Sequence, residues 1–431
     1  MMSEVYLEKC MRIGFVVIVS TVALVFWNFI SVQSKEVNSV ELRKILPMDV
    51  GYEKMLSADQ LNIIREALGL NRLQNNEALS RAAQAHADYL VANNEESHYE
   101  VEGHVNFTGV KPVDRALLSK YASRHVIENL STKNPSAQAS IEGLFSAIYH
   151  RFGFLSTNID EVGVGVTQNK NEPSQSAFVY LMGNSHMRSL CHEKSFSGHG
   201  KYYYKICQDE NHRISEKEYN YAQNAIRKYN PSIVLYPYNG QKEVPPAFYS
   251  EIPDPLADYE VSGFPISISF NEYFFKEVKV HSLKLYDKTG QEVENVRYMD
   301  KASDPHARFT DTEFALFPLQ RLNYATEYQV ELVYSSKGKR AKVRWTFKTK
   351  VPKDRLYIIQ NNEAHFVVKA AQAYTFYFEP MHTSDILKNV QFPSGVDIFF
   401  IDNNTIKVVL NDTKGKFDIR FDTKVLHLEV E

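Results

Sequence analysis

Apolar residues recur at three- and four-residue steps through much of the first half of the chain and at alternate positions through most of the second, with the change of texture near residue 232. Leu61, Ile64 and Leu68 share one face of a helix predicted to start at Ser57, where Gln60 completes a capping-box pattern, and to stop at Gly69. A second helix is predicted from Asn75 or Asn76, carrying Leu79, Ala82, Ala83, His86 and Leu90 on one side and ending at Asn93-Asn94. A short third helix covers 113–121. A fourth follows Asn134-Pro135-Ser136 and runs through Ile141, Leu144, Phe145 and Ile148 to about Phe152. The segments 162–167 and 177–182 are β-rich around a polar turn and read as a hairpin. Helices followed by a hairpin imply a compact α+β unit over roughly 55–185.

A helix over 215–229 ends before Pro231. Short strands then follow at 266–270, 279–286, 314–317, 328–334 and 343–349 between Pro and Gly turns, the spacing of an antiparallel sandwich that Val351-Pro352 closes. Strands near 356–359, 365–368, 374–378, 406–410 and 417–421 predict a further small β module.

The other long apolar stretch is 13–32. As a helix rising 1.5 Å per residue it spans about 30 Å, the thickness of a bilayer core. Lys9 and Arg12 precede it, so residues 1–12 stay in the cytoplasm and the rest is exported. A cleaved signal peptide is the alternative, but no small-x-small site follows, and Phe26-Trp27-Asn28-Phe29-Ile30 resembles an interfacial belt, which favours an uncleaved anchor. The expected location is the inner membrane, with the bulk of the chain in the periplasm or outside the cell.

Length and charge narrow the class. A chain of 431 residues is too long for one ordinary core and predicts two or three domains. A net charge of −3 without a basic cluster or zinc-finger spacing excludes the electrostatic footprint of a nucleic-acid binder. Cys10 falls on the cytoplasmic side of the anchor, and Cys191 and Cys207 on the exported side. The exported pair can close a disulfide worth roughly 3 kcal/mol on loop entropy. Two buried free thiols, or a zinc site using His192 and His199, are the alternatives; the second matches no compact zinc module.

Ser97-His98, Glu128-Asn129-Leu130, His150-Arg151 and Glu161-Val-Gly-Val-Gly-Val166 carry the candidate chemistry. Two neutral imidazoles and one carboxylate can hold a borderline ion such as Zn²⁺ with a position left open. The same carboxylate can instead orient an imidazole with no metal, as a buried network or an acid/base pair. His86, on an apolar helix face, reads as a satisfied core histidine. His104 and Glu100 either line the rim of the cleft or belong to a solvated loop. Arg65, Asp114 and Arg115 read as helix anchors. Gly163 and Gly165 within a strand predict close backbone approach or a bulge. No G-x-S-x-G, H-E-x-x-H or EF-hand pattern is present.

The span from Leu61-Asn-x-x-Arg65 through Gly69-Leu70, Ala82-Ala83, His86-Ala87, Ser97-His98, Asp114-Arg115, Tyr121, Glu128-Asn129 and His150-Arg151 to Glu161-Val-Gly-Val-Gly resembles the bacterial branch of the CAP superfamily, which groups cysteine-rich secretory proteins, antigen 5 and plant pathogenesis-related proteins. The resemblance implies an α-β-α sandwich with a His/Glu cleft that binds a divalent metal in some members. It places the histidines at His98 and His150 and the acid at Glu128, the expected metal set. The family's fourth member, a Glu on the helix before the last histidine, has Glu142 as its nearest candidate, and the family's nearby Trp is replaced by Leu144 and Phe145. Downstream, Glu251-Ile-Pro-Asp-Pro-Leu256, Phe314-x-x-Phe317-Pro318-Leu319 and Trp345-x-Phe347-x-Thr349 resemble a bacterial immunoglobulin-like domain, which implies a spacer or an adhesion surface.

The expected fold is therefore α+β: a transmembrane helix (13–32), a linker (33–55), a CAP-like α-β-α sandwich (56–185), a cysteine loop and helix connector (186–231), an all-β immunoglobulin-like sandwich (232–351) and a C-terminal β module (352–431). The expected function is binding, with His98, Glu128, His150, Glu142 and His104 around a cleft that engages Zn or Mg, or a lipid, glycan or protein ligand of the envelope. A metal- or His-dependent hydrolase of envelope peptide or polysaccharide ranks second, and a structural envelope protein third.

Overall fold

The computed structural model describes residues 35–38, 45–411 and 414–431. The predicted span 13–32 lies outside them. Among the described residues no helix is long and apolar enough to cross a membrane. The described residues divide into two compact units, 45–351 and a second in which 35–38 join 352–431.

In the larger unit, helix α1 (Val50–Ala67) starts about two turns before the expected Ser57. Asp49 caps it, its Oδ1 accepting from the Tyr52 N–H at 3.0 Å, while Ser57 is buried inside the helix. The stretch 33–55 is thus no plain linker: it holds the strand Lys35–Asn38 and the first turn of α1. Gly69 at φ +74° turns the chain out of the helix, where a Cβ would be strained. The short strand β1 (Gln74–Asn75) leads into α2 (Glu77–Asn93), capped by Asn76 and ended by Asn94 in the left-handed region.

After α3 (Pro112–Leu118) comes β2 (Val126–Thr132), then α4 (Ala137–Ser146) and α5 (Ile148–Phe154). The single helix expected up to Phe152 is broken at Ala147, whose ψ of 117° is extended, so α5 leaves in a new direction and carries His150 with it. Strands β3 (Glu161–Gln168) and β4 (Ser176–Gly183) form the hairpin, and the sheet order is β1-β3-β4-β2. Leu79, Ala83, Ala87 and Leu90 of α2 pack with Val179 and Leu181 on one face of the sheet. Leu61 of α1 and Ile141, Leu144 and Phe145 of α4 pack with Val164, Phe178 and Tyr180 on the other, giving three layers. Gly163 and Gly165 explain how closely α2 lies: a Cβ at either would come within 2.1 or 2.2 Å of the α2 backbone at Leu79 or Ala83.

Helix α6 (Ser185–Leu190) ends at Cys191, which is disulfide-bonded to Cys207, and α7 (Glu216–Arg227) is capped by Ser215. A sandwich follows. One sheet pairs β5 (Ile233–Tyr236) with β7 (Ile266–Phe270), then β10 (Glu313–Pro318) and β9 (Val296–Met299). The other pairs β8 (Lys279–Tyr286), β11 (Glu327–Ser336), β12 (Lys339–Thr349) and β6 (Gln241–Val244), the last pairing parallel. Trp345 and Phe347 point inward as the alternation predicts, among Ile266, Ile268 and Val330.

This sandwich shares one continuous apolar core with α1, α4 and α5. Arg151 of α5 is fully buried and crosses the junction: Nη1 donates to Pro265 O (2.7 Å), Nε to Phe145 O (2.6 Å), and the guanidinium lies over the Tyr236 and Phe264 rings at 4.9 and 4.8 Å. A spacer is therefore too weak a description of it.

The second unit is another two-sheet sandwich. Its five-stranded sheet runs Lys35–Asn38, Asn389–Phe392, Gly415–Phe421, Val425–Val430, Glu363–Val368. The four-stranded sheet runs Arg355–Ile359, Ala373–Phe378, Thr405–Leu410, Val396–Asp402. Phe376, Ile406, Ile419 and Leu426 fill the space between them.

Candidate functional site

Strand β2 carries Glu128 and Asn129 at the edge of the α-β-α sheet, because among the described residues β2 pairs only with β4. Alternation along the strand sends the Glu128 side chain into the loop between α2 and α3, where only 2 % of it is exposed. There the Arg115 guanidinium donates to both of its oxygens at 2.9 and 2.8 Å, and His98 Nδ1 lies 3.0 Å from Oε1. Burial alone would raise the Glu128 carboxyl, but the bond from His98 and the charge of Arg115 outweigh it and hold the group below the usual carboxylate range.

A second acid lies behind. Glu100 bonds His86 Nδ1 at 2.9 Å and accepts from the backbone N–H groups of Thr108 (2.6 Å) and Gly109 (3.1 Å). The other His86 nitrogen sits 3.0 Å from Ser97 O, so His86 is the satisfied core histidine that its helical position predicts. Glu100, too, is held below the usual range despite its burial, through His86 and Thr108. Arg115 anchors α3 as expected, through Gly109 O, His98 O and Glu128.

His150 faces this cluster from α5, its ring stacked 6.0 Å from that of His98. Its carboxylate partner comes from elsewhere in the chain: Glu251, in the loop between β6 and β7 of the sandwich, places Oε2 3.2 Å from His150 Nδ1. Glu251 also accepts from the N–H groups of Ile148 (2.6 Å) and Tyr149 (3.2 Å), at the start of α5. Burial raises its carboxyl above the usual range in spite of those bonds. The neighbouring Tyr149 hydroxyl donates to Asp304 of the sandwich at 2.5 Å. Tyr149, His150 and Arg151 are thus held one after another by the β domain.

Two expected cleft residues lie elsewhere. Glu142 accepts from Lys350 Nζ at 2.6 Å and from Gln138. Because the helix breaks at Ala147, its position relative to His150 is not the one a continuous helix gives. His104 pairs with Glu95 at 2.9 Å and stacks on Tyr89, away from Glu128. His98, Glu128 and His150 are not drawn into one ligand set either: among the described residues, the group of three or more such side chains with ligand atoms within 4.8 Å is Glu363, His365 and His427, in the other unit.

In front of the two rings opens a cavity of about 430 Å³, walled on one side by His98, His150 and Phe152 and on the other by Ile252, Arg308 and Glu313 of the β domain. His125, at its margin, is lowered from the ordinary histidine value by burial and by Arg227. Sequence reasoning missed Glu251 and this second wall. The one signal was an acid in a Pro-rich loop, Glu251-Ile-Pro-Asp-Pro, which the strand pattern alone does not connect to a histidine a hundred residues earlier.

Several solved structures align with part of this chain. An outer surface protein from Borrelia burgdorferi aligns at 18 % identity, over 32 % of this chain and 98 % of its own, with a TM-score of 0.28. An extracellular protein containing an SCP domain from Bacillus anthracis aligns at 21 % identity over 31 % and 40 %, TM-score 0.27. A cysteine-rich secretory protein from Staphylococcus aureus aligns at 16 % over 33 % and 42 %, TM-score 0.25. This chain thus spans about two fifths of the latter two. No curated protein matches. The family model for CAP, the cysteine-rich secretory protein family, matches residues 58–184. Those residues, from the third turn of α1 to the end of β4, are a CAP domain.

Proposed function

We propose that this is an exported binding protein whose cleft holds a borderline divalent cation such as Zn²⁺ at Nε2 of His98 and His150 and receives a polar envelope ligand in the cavity before it. One observation carries this reading: each imidazole has its Nδ1 on a carboxylate, His98 on Glu128 and His150 on Glu251, and neither Nε2 has a partner among the described residues. A ring whose Nδ1–H donates to a carboxylate presents a lone pair at Nε2, and such partners fix ring orientation and raise ligand basicity. Two imidazole nitrogens suit zinc and not magnesium, which wants oxygen. When bound, the ion supplies an open Lewis-acidic position.

In this reading Glu128 orients His98 and is no ligand, since Arg115 occupies both its oxygens. The same engagement favours binding over hydrolysis, because the acid that a hydrolase would use as base is already taken. Export is supported by the Cys191–Cys207 disulfide, a bond that persists in oxidising compartments. Zinc uptake by the tag-free full chain tests the proposal: His98→Ala and His150→Ala should each abolish one equivalent. Uptake unchanged in both rejects the metal.

A further inference from the structure

Across three neighbouring strands of the C-terminal sandwich, the register lines up a row of metal-ligating side chains. His365 stands opposite His427 in the parallel pair Glu363–Val368 and Val425–Val430, and Asp418 stands opposite His427 in the antiparallel pair with Gly415–Phe421. Side chains two residues apart share a face, so Glu363 joins His365. Their alternates Val368, Leu426, Leu428 and Ile419 are buried in the core, so the row faces outward.

We infer that Glu363, His365 and His427 form a divalent-metal site, of the type that takes Zn²⁺, independent of the CAP cleft. Glu363 Oε1 lies 3.1 Å from His427 Nε2 and 3.4 Å from His365 Nε2, and one potential ligand atom from each residue lies within 4.8 Å of the other two. Tetrahedral zinc with metal–nitrogen bonds of about 2.0–2.1 Å sets its ligand atoms about 3.4 Å apart, so the three atoms need move little to close on an ion. The rings stack with centroids 4.2 Å apart and 10° between planes, which directs two nitrogens at one carboxylate oxygen.

Asp418 supplies the outer support. Its Oδ1 lies 2.7 Å from His427 Nδ1, which leaves Nε2 of that ring as the lone-pair nitrogen on the side of Glu363, and Arg420 braces Asp418 at 2.5 Å. The Glu363 and His365 side chains are 66 % and 70 % exposed, so a fourth position is open to water or to a donor from another molecule. Two histidines and one carboxylate with an open position is a ligand set of borderline metals.

The experiment starts from the tag-free full chain carrying His98→Ala and His150→Ala, so that the cleft contributes nothing. Zinc uptake is measured by equilibrium dialysis and metal analysis, with circular dichroism confirming the fold. One equivalent is expected, lost in His365→Ala and in His427→Ala. Asp418→Asn should bind about tenfold more weakly, as loss of an orienting carboxylate does. Glu363→Gln, on an exposed side chain that leaves the core untouched, should weaken binding as well. No uptake by the starting chain, or uptake that survives both histidine substitutions, overturns the inference. The cleft proposal is judged on other residues, so either can fail without the other.

Discussion

Replacing Glu251 asks whether the β domain is part of the cleft or merely adjacent to it. In Glu251→Ala the Ile148 N–H, whose residue is fully buried, loses its 2.6 Å acceptor, and Tyr149 N–H and His150 Nδ1 lose theirs at 3.2 Å. A buried donor left without a partner costs about 1–3 kcal/mol, and the half-buried Tyr149 and His150 recover part of their loss from water, so about 2–4 kcal/mol is expected in total. Glu251→Gln keeps an acceptor for Ile148 and should cost far less. The two variants also part company with pH. Burial raises the Glu251 carboxyl, so the folded state holds its proton more tightly than the unfolded one. The stabilisation this gives is complete below the ordinary glutamate value of about 4.3 and is lost as pH rises through the raised value. Glu251→Gln should therefore gain on the parent between acid and neutral pH. Urea unfolding followed by Trp345, buried in the sandwich core, measures both effects. An Ala variant with the parent's midpoint and the parent's zinc affinity would refute the reasoning, since His150 would then need no carboxylate from the sandwich.

Other substitutions probe the remaining contacts. Arg151→Ala leaves the carbonyls of Phe145, Ser146 and Pro265 without their donor, and about 3 kcal/mol or more of stability should be lost in denaturant titration. Gly163→Ala and Gly165→Ala drive a Cβ into the α2 backbone and should each cost more than a typical overpacked core residue, about 1–3 kcal/mol, read as a lowered unfolding midpoint or loss of soluble protein. Glu128 and Glu100 have lowered carboxyls, so their contribution is present above the ordinary value of about 4.3 and is lost as pH falls through the lowered ones; Glu128→Gln should flatten that acid limb of stability.

What the sequence carried well was local. The strands over 266–270 and 279–286 match the observed Ile266–Phe270 and Lys279–Tyr286, because alternation is imposed by a sheet with one buried face. The two glycines of β3 announced a close neighbour, and α2 is that neighbour. Asn76 and Asn94 bounded α2 because a cap and a left-handed residue are chemical properties of asparagine. The break at Ala147 was not legible: alanine favours helix, and only the fixing of α5 from outside, by Glu251 and by Pro265 through Arg151, redirects the chain there.

The fourth carboxylate follows from helix geometry. On a helix running unbroken to Phe152, Glu142 would still stand eight residues before His150, about 12 Å away along the axis and about 80° round it, too far to be its partner. Glu142 pairs with Lys350 instead, and the carboxylate that meets His150 arrives from a loop about a hundred residues later. That loop is held by the sandwich, and the sandwich is held by Arg151, the residue next to His150. Orientation of the histidine and docking of the β domain are therefore one structural event: a substitution that loosens the interface at Arg151 should also loosen the ring at His150, and with it whatever the ring holds.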